Sequence, residues 1–273
     1  MKVSVQALID AFRLPSQALV SHRIPKKMLV EQGAPTAADK RLINDTVDEL
    51  WWHAALKPGT IGVPAWSGPD GEVIELALVS VQLKPDSRDA QAQRLRQLIH
   101  RAIPYPVLLV ASVSTSASAS KPGGVVLSLA RKRASLGEAG KWVLAETTET
   151  HAFNPAHATA TEVQFISSLA LDQMPRSALL DLSALYQGYA DRVTALAVAQ
   201  VTGQFSAAAV SATASAQRQA LADRQQVLQQ LSAVRSAAAK ARQMNQRVTL
   251  NLQIQRLQGD LQAIAGQLQS PNS

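Results

Sequence analysis

Apolar residues recur along this chain in two rhythms, and the change between them falls near residue 160. Before it, short apolar runs alternate with stretches of helical spacing, the mark of a mixed α+β domain. Residues 3–13 have helical spacing and stop before Pro15. Thr36 caps a predicted helix over 37–52, with Asp39 at the acidic position of a capping box and Leu42, Ile43, Val47, Leu50 and Trp51 as its apolar stripe. A short strand is expected over 60–65. Residues 73–83 read as one long strand, apolar on both faces and therefore central in a sheet. A helix over 88–102 ends at Ile103-Pro104-Tyr105-Pro106, and residues 107–113 form a second buried strand. Pro104 and Pro106 lack an N–H, so this corner stops the helix and launches the strand. Residues 125–130 and 142–148 fit an antiparallel hairpin around Gly137 and Gly140, after a low-complexity stretch at 114–124.

From residue 161 the spacing is helical, with helices expected over 161–171 and 177–202 and no proline between Pro175 and Pro271. In the tail, Val227, Leu231, Val234, Ala238 and Ala241 alternate steps of four and three. Leu250, Ile254, Leu257, Leu261, Ile264 and Leu268 do the same, which is a heptad seam and the candidate partner or oligomer surface. The two sets are out of phase by two residues, so either the seam shifts or the chain bends near 245–251. A continuous helix over 217–268 would run about 78 Å, too long to lie along one small domain. The expected architecture is α+β: a core over 1–160 with a small mixed sheet and flanking helices, a helical connector over 161–205, and a long helical or coiled-coil tail over 206–273.

Charge adds a partner class to this picture. The chain has 273 residues and a net charge of +7, which fits nucleic acid or an acidic protein. Arg88, Arg94, Arg96 and Arg101 crowd one helix beside a single acid, Asp89. Arg131-Lys132-Arg133 sit on the predicted hairpin, and the tail carries Arg218, Arg224, Arg235, Lys240, Arg242, Arg247 and Arg256 against Asp223 alone over 218–256. The candidate nucleic-acid contacts are Arg94, Arg101, Arg131, Lys132, Arg133, Lys240, Arg242 and Arg247. The competing reading of the tail charges is the solvated flank of a coiled coil. Base-stacking aromatics are missing from all three clusters, which argues against single-strand binding.

The absence of cysteine excludes disulfides, thiolate metal sites and a cysteine nucleophile. The start, MKVSVQALIDAF, lacks the unbroken apolar core of a signal peptide, and no apolar run reaches a membrane span, so a cytoplasmic, membrane-free protein is expected. Pro69-Asp70 followed by Gln82-Leu83-Lys84 loosely matches a PD-(D/E)xK nuclease with glutamine in an acidic slot. If 73–83 is one strand, Asp70 and Gln82 lie about 40 Å apart, too far to share a metal unless a turn breaks the strand near Ser80. His151 and His157 share a segment with Glu149 and Glu162 but lack a third convergent ligand, so loop histidines are the expectation. There is no phosphate-binding glycine loop and no nucleophile elbow, and no cofactor is expected.

Several segments carry a resemblance. They are Ile24-Pro25-Lys26-Lys27, residues 39–52, residues 73–84, Ile103-Pro104-Tyr105-Pro106-Val107-Leu108-Leu109, and Ala241-Arg242-Gln243-Met244-Asn245-Gln246-Arg247-Val248-Thr249-Leu250-Asn251. Together they resemble a bacterial and archaeal domain-of-unknown-function family of similar length, over most of the chain. The tail departs from that family in being richer in alanine and glutamine than in lysine and glutamate. The resemblance implies gene neighbours that are helicases and DNA methyltransferases, in antiphage or restriction-like clusters. It gives no reaction and no catalytic residues. The expectation is therefore a non-enzymatic accessory or scaffolding subunit that binds a helicase or methyltransferase through core and tail, with homo-oligomerisation through the tail and DNA contact as further possibilities. The functional contact is expected near residues 241–257. The alternatives are a degenerate nuclease on Asp70, Gln82 and Lys84, or a direct binder of double-stranded DNA.

Overall fold

The computed structural model describes residues 3–68, 71–84, 87–113, 124–134, 142–207, 211–241 and 243–269, and for Arg133, Ala134, Trp142, Ser211 and Ala212 the backbone alone. It is α+β, and the chain divides into two compact units, Met1–Val193 and Thr194–Ser273.

The first unit is built on a mixed six-stranded sheet. Its strands are β1 (Leu19–Arg23), β2 (Val47–Leu56), β5 (Leu76–Leu83), β6 (Val107–Ser112), β7 (Val125–Ala134) and β8 (Trp142–Glu149), hydrogen-bonded in that order. A separate two-stranded ribbon pairs β3 (Trp66–Gly68) with β4 (Gly71–Val73). Every pairing in the large sheet is antiparallel except β5 with β6. That parallel pair needs a crossover, and α5 (Asp89–Ala102) supplies it. All eight residues of β5 are buried, as the two-faced apolar pattern requires.

One face of the sheet is covered by α2 (Lys26–Gly33), α3 (Ala37–Thr46) and α5, around a core that includes Leu29, Ile43, Val79, Val81, Leu95, Ile99 and Leu109. Gly33 lets α2 approach α5 closely: a Cβ there would lie 2.8 Å from the Ala102 Cβ. Residues in alternation with these, among them Leu76, Leu78, Leu108 and Val110, are equally buried, so the sheet is covered on both sides. The α1 helix (Val3–Asp10) packs against β6, and Phe12 meets Tyr189 of α7 (Leu182–Thr202) with ring centroids 5.2 Å apart. Between these lie the single turn α4 (Pro58–Ile61) and α6 (Ala160–Ser168). Tyr186 accepts a hydrogen bond from the Ala130 N–H and donates to the Val107 carbonyl.

Three expected elements are corrected. The helix capped by Thr36 ends at Thr46, and residues 47–56 are strand. Residues 60–65 hold the end of α4 and coil, and the strand starts at Trp66. The long strand over 73–83 is two strands in two sheets, broken at Ile74-Glu75. Glu75 at the break is buried and pairs with Lys57 at 2.9 Å. The loop expected over 114–124 and the turn at Gly137 and Gly140 lie outside the described residues, apart from Gly124.

The second unit carries α8 (Ser211–Lys240) and α9 (Met244–Gln269), which pack on each other. Alanine and glutamine dominate α8, and glutamine and leucine dominate α9, all good helix formers. Only residues 241–243 separate the helices, so the chain reverses there and the pair is an antiparallel hairpin. Among the described residues no helix is long and apolar enough to cross a membrane.

Candidate functional site

The hairpin accounts for the phase shift between the two heptad sets. In α8, Val227, Leu231, Val234 and Ala238 are buried or half-buried. In α9, Leu257 and Leu268 are buried and Leu250, Ile254, Leu261 and Ile264 are half-buried, while every other described α9 residue except Ala265 is exposed. Each seam is thus the covered face of its own helix. Two helices running in opposite directions need no common phase, so the displacement of two residues marks a turn at 241–243, just before the expected junction.

A second apolar row lies on α9 and is uncovered. Met244 is 74% exposed, Val248 52% and Leu252 62%. At about 100° per residue these three project some 160° away from the seam. They are not an isolated exposed side chain but a row at i, i+4 and i+8, one face of two helical turns. The side chains of Lys240, Arg247 and Arg256 are exposed on the same hairpin, and no aspartate or glutamate occurs between Arg224 and Asp260. The row falls inside 241–257, the stretch that the sequence singled out. Its signal was present: continuing the first set's spacing past the turn lands on 245, 248 and 252.

The basic candidates separate by what they touch. Arg94 spans α5 and α3 with two hydrogen bonds to Asp39, of 2.9 and 3.0 Å. The Arg94 guanidinium holds the Asp39 carboxyl below its usual value against the opposing effect of burial, and Thr36 adds a third bond. Lys132 donates to the Ile103 and Tyr105 carbonyls, the second at 2.7 Å. It ties β7 to the Ile-Pro-Tyr-Pro corner, and burial pulls its amine down to about 7. These two side chains are therefore held by the fold. Arg101, Arg131, Lys240 and Arg247 are exposed. Arg133 lies on β7, but its side chain, like all of Arg242, lies outside the described residues.

Of the nuclease candidates, Gln82 and Lys84 are described, and the fold engages them separately. Asp70 lies outside the described residues. Gln82 is buried at the end of β5 with its Nε2 unpartnered, and Lys84 Nζ donates to the Asn44 carbonyl at 2.9 Å. The acid opposite Gln82 in the β2–β5 register is Glu49, which takes a 3.3 Å hydrogen bond from Trp51 and pairs with Arg23 at 3.8 Å. Among the described residues no three histidines, aspartates or glutamates converge as metal ligands would. His151 lies 2.6 Å from Glu162, whose other oxygen closes the capping box of α6, and His157 is an exposed residue of a 3-10 turn.

Residues 12–261 match the family described as Domain of unknown function (DUF4391). The chain belongs to this family. No curated protein and no solved structure matches it. The DUF4391 match takes in the whole six-stranded sheet, all of α8, and α9 as far as Leu261. The Met244, Val248 and Leu252 row is therefore part of the DUF4391 domain, and the sheet and the hairpin belong to one family unit of sequence.

Proposed function

We propose that this DUF4391 protein is an accessory subunit of a DNA-targeting assembly, in which the α8–α9 hairpin docks on a partner enzyme. The observation that supports it is the uncovered row Met244, Val248 and Leu252, set among basic side chains with no acid between Arg224 and Asp260. Exposed apolar rows rimmed by charge mark protein contacts. Helix-in-groove recognition reads such i, i+4, i+8 anchors. The partner that fits is a surface with an apolar groove and an acidic rim. On the family resemblance it is the helicase or DNA methyltransferase encoded beside the gene, in an antiphage or restriction-like cluster. The seam from Leu250 to Leu268 holds the hairpin together, which leaves the uncovered row for contacts with a partner.

The test is co-elution of the purified full chain with the neighbouring helicase and methyltransferase on size exclusion. A complex with one of them is expected, and Met244→Ser/Val248→Ser/Leu252→Ser removes it. The reading fails if neither enzyme co-elutes, or if the triple variant co-elutes as the wild type does. Incubation with DNA and magnesium or manganese tests the nuclease alternative: cleavage abolished by Lys84→Ala replaces the accessory reading with an enzymatic one.

A further inference from the structure

A cleft of about 430 Å³ opens between α1 and strands β1 and β2 of the first unit, a size in the range of small-ligand sites. Asp10, Arg13, Ser21, Glu49, Trp51 and His53 line it. Two observations set it apart from a surface dimple. Arg13 and Ser21, with φ of 46° and 49°, are the only non-glycine residues with positive φ among the described residues, and both line this cleft. Backbone held in that region costs energy that the surroundings must offset, and such residues gather at ligand sites. The second observation is His53, which is only 8% exposed and has its Nε2 fixed 2.8 Å from the Oγ of fully buried Ser80. That bond orients the ring, and Nδ1 has no hydrogen-bond partner among the described residues. Ser80 is 1% exposed, so the pair is a positioned imidazole over a buried hydroxyl, not a nucleophile and its base.

The lining selects for charge. Asp10 and Glu49 bring two carboxylates, and burial keeps His53 neutral by lowering its pKa against the pull of the Asp10 charge. The two cations nearby are engaged in water-exposed pairs, Arg13 with Asp172 at 3.7 Å and Arg23 with Glu49 at 3.8 Å. Trp51 presents an indole to the same space, and its N–H is already directed at Glu49. Two acids, a neutral ring nitrogen and an indole suit a cationic head group, and apolar Ile9, Leu19 and Leu78 suit an alkyl stem. An anion would meet the repulsion of both carboxylates.

We infer that this cleft binds an alkyl-guanidinium or alkyl-ammonium group. The source is either a free amine or an arginine or lysine side chain of another protein, and the site is independent of the hairpin. Calorimetric titration of the full chain with agmatine tests it, with sodium pentanoate as the anionic control. Saturable agmatine binding is expected, with tryptophan fluorescence changing in parallel and no binding of pentanoate. Asp10→Asn/Glu49→Gln is expected to weaken agmatine at least about tenfold, each lost solvent-accessible charge pair accounting for a factor of about three. Should the double variant fail to fold by circular dichroism, Asp10→Asn alone, at an exposed position, is expected to weaken it about threefold. A blocked arginine peptide that binds more tightly than agmatine identifies a protein segment as the source, and the reverse identifies a free amine. No saturable agmatine signal, equal binding of pentanoate, or unchanged affinity in a folded charge-removing variant overturns the inference.

Discussion

His100 lies fully buried between α5 and β7, its Nε2 2.9 Å from Ser128 Oγ, which in turn donates to Glu149 at 2.8 Å. Arg96 closes the chain with two hydrogen bonds to Glu149, of 2.8 and 2.5 Å. Burial, with the charges of Lys132 and Arg96, pushes the His100 pKa down to about 3. Between about pH 6.5 and 3 the unfolded chain therefore binds a proton at this position that the folded chain refuses. Stability must fall as pH drops through that window, by up to about 1.4 kcal/mol per pH unit for this one group. Denaturant midpoints measured from pH 6.5 to 4.5 are expected to show this slope in the wild type and a shallower one in His100→Asn. Arg96→Met leaves Glu149 as an uncompensated, largely buried carboxylate and is expected to cost about 3 kcal/mol. Arg101→Met at an exposed position is expected to change stability by less than about 0.5 kcal/mol in the same assay. The sequence could place such residues but not pair them. Thr36 and Asp39 were readable as a cap because both partners sit three residues apart. Arg94 with Asp39 and Lys132 with the Ile103 carbonyl join residues that are far apart in the chain, so a basic run looked equally free at every position.

At the scale of elements, one failure and one success share a physical origin. The start of strand β2 reads as a continuation of α3 because Val47, Leu50 and Trp51 follow Ile43 at helical intervals. The register between β2 and β5 shifts between Val47 and Glu49 and again between Trp52 and Ala54. Each bulge adds a residue and breaks the period of two, so the burial pattern mimics a helix. No single-residue preference announces a bulge. In the tail the heptad spacing is legible because helical seams have no such interruptions, and the phase shift points to a break that falls between Lys240 and Met244, a few residues before the expected 245–251. Leu257→Ala removes a buried contact of the hairpin and is expected to lower the melting stability of α8 and α9 by about 3 kcal/mol. Val248→Ser, on the uncovered row, is expected to change it by less than about 0.5 kcal/mol. Hydrogen exchange of the two helices separates these outcomes. Equal losses from both substitutions would mean that the row is not a free surface.

For the molecule as a whole, a net charge of +7 makes some affinity for DNA an expectation of electrostatics alone. Exposed Arg101, Arg131, Lys240 and Arg247 can release counterions, whereas Arg94 and Lys132 are already bound within the fold. Duplex binding should therefore weaken with salt, and Arg131→Gln should reduce the slope of log affinity against log salt by about one, equally for all sequences. Such binding would bring the protein to DNA without selecting a site, and the specific contact is the one proposed for the hairpin. For the proposed docking, calorimetric titration of a helicase or DNA methyltransferase encoded beside the gene with this chain is the most direct test. One enzyme is expected to bind the wild type and to bind Met244→Ser/Val248→Ser/Leu252→Ser at least about a hundredfold more weakly, the scale of three lost apolar anchors, while both proteins melt alike. Equal affinity for the two proteins, or no binding of either enzyme to the wild type, would contradict it.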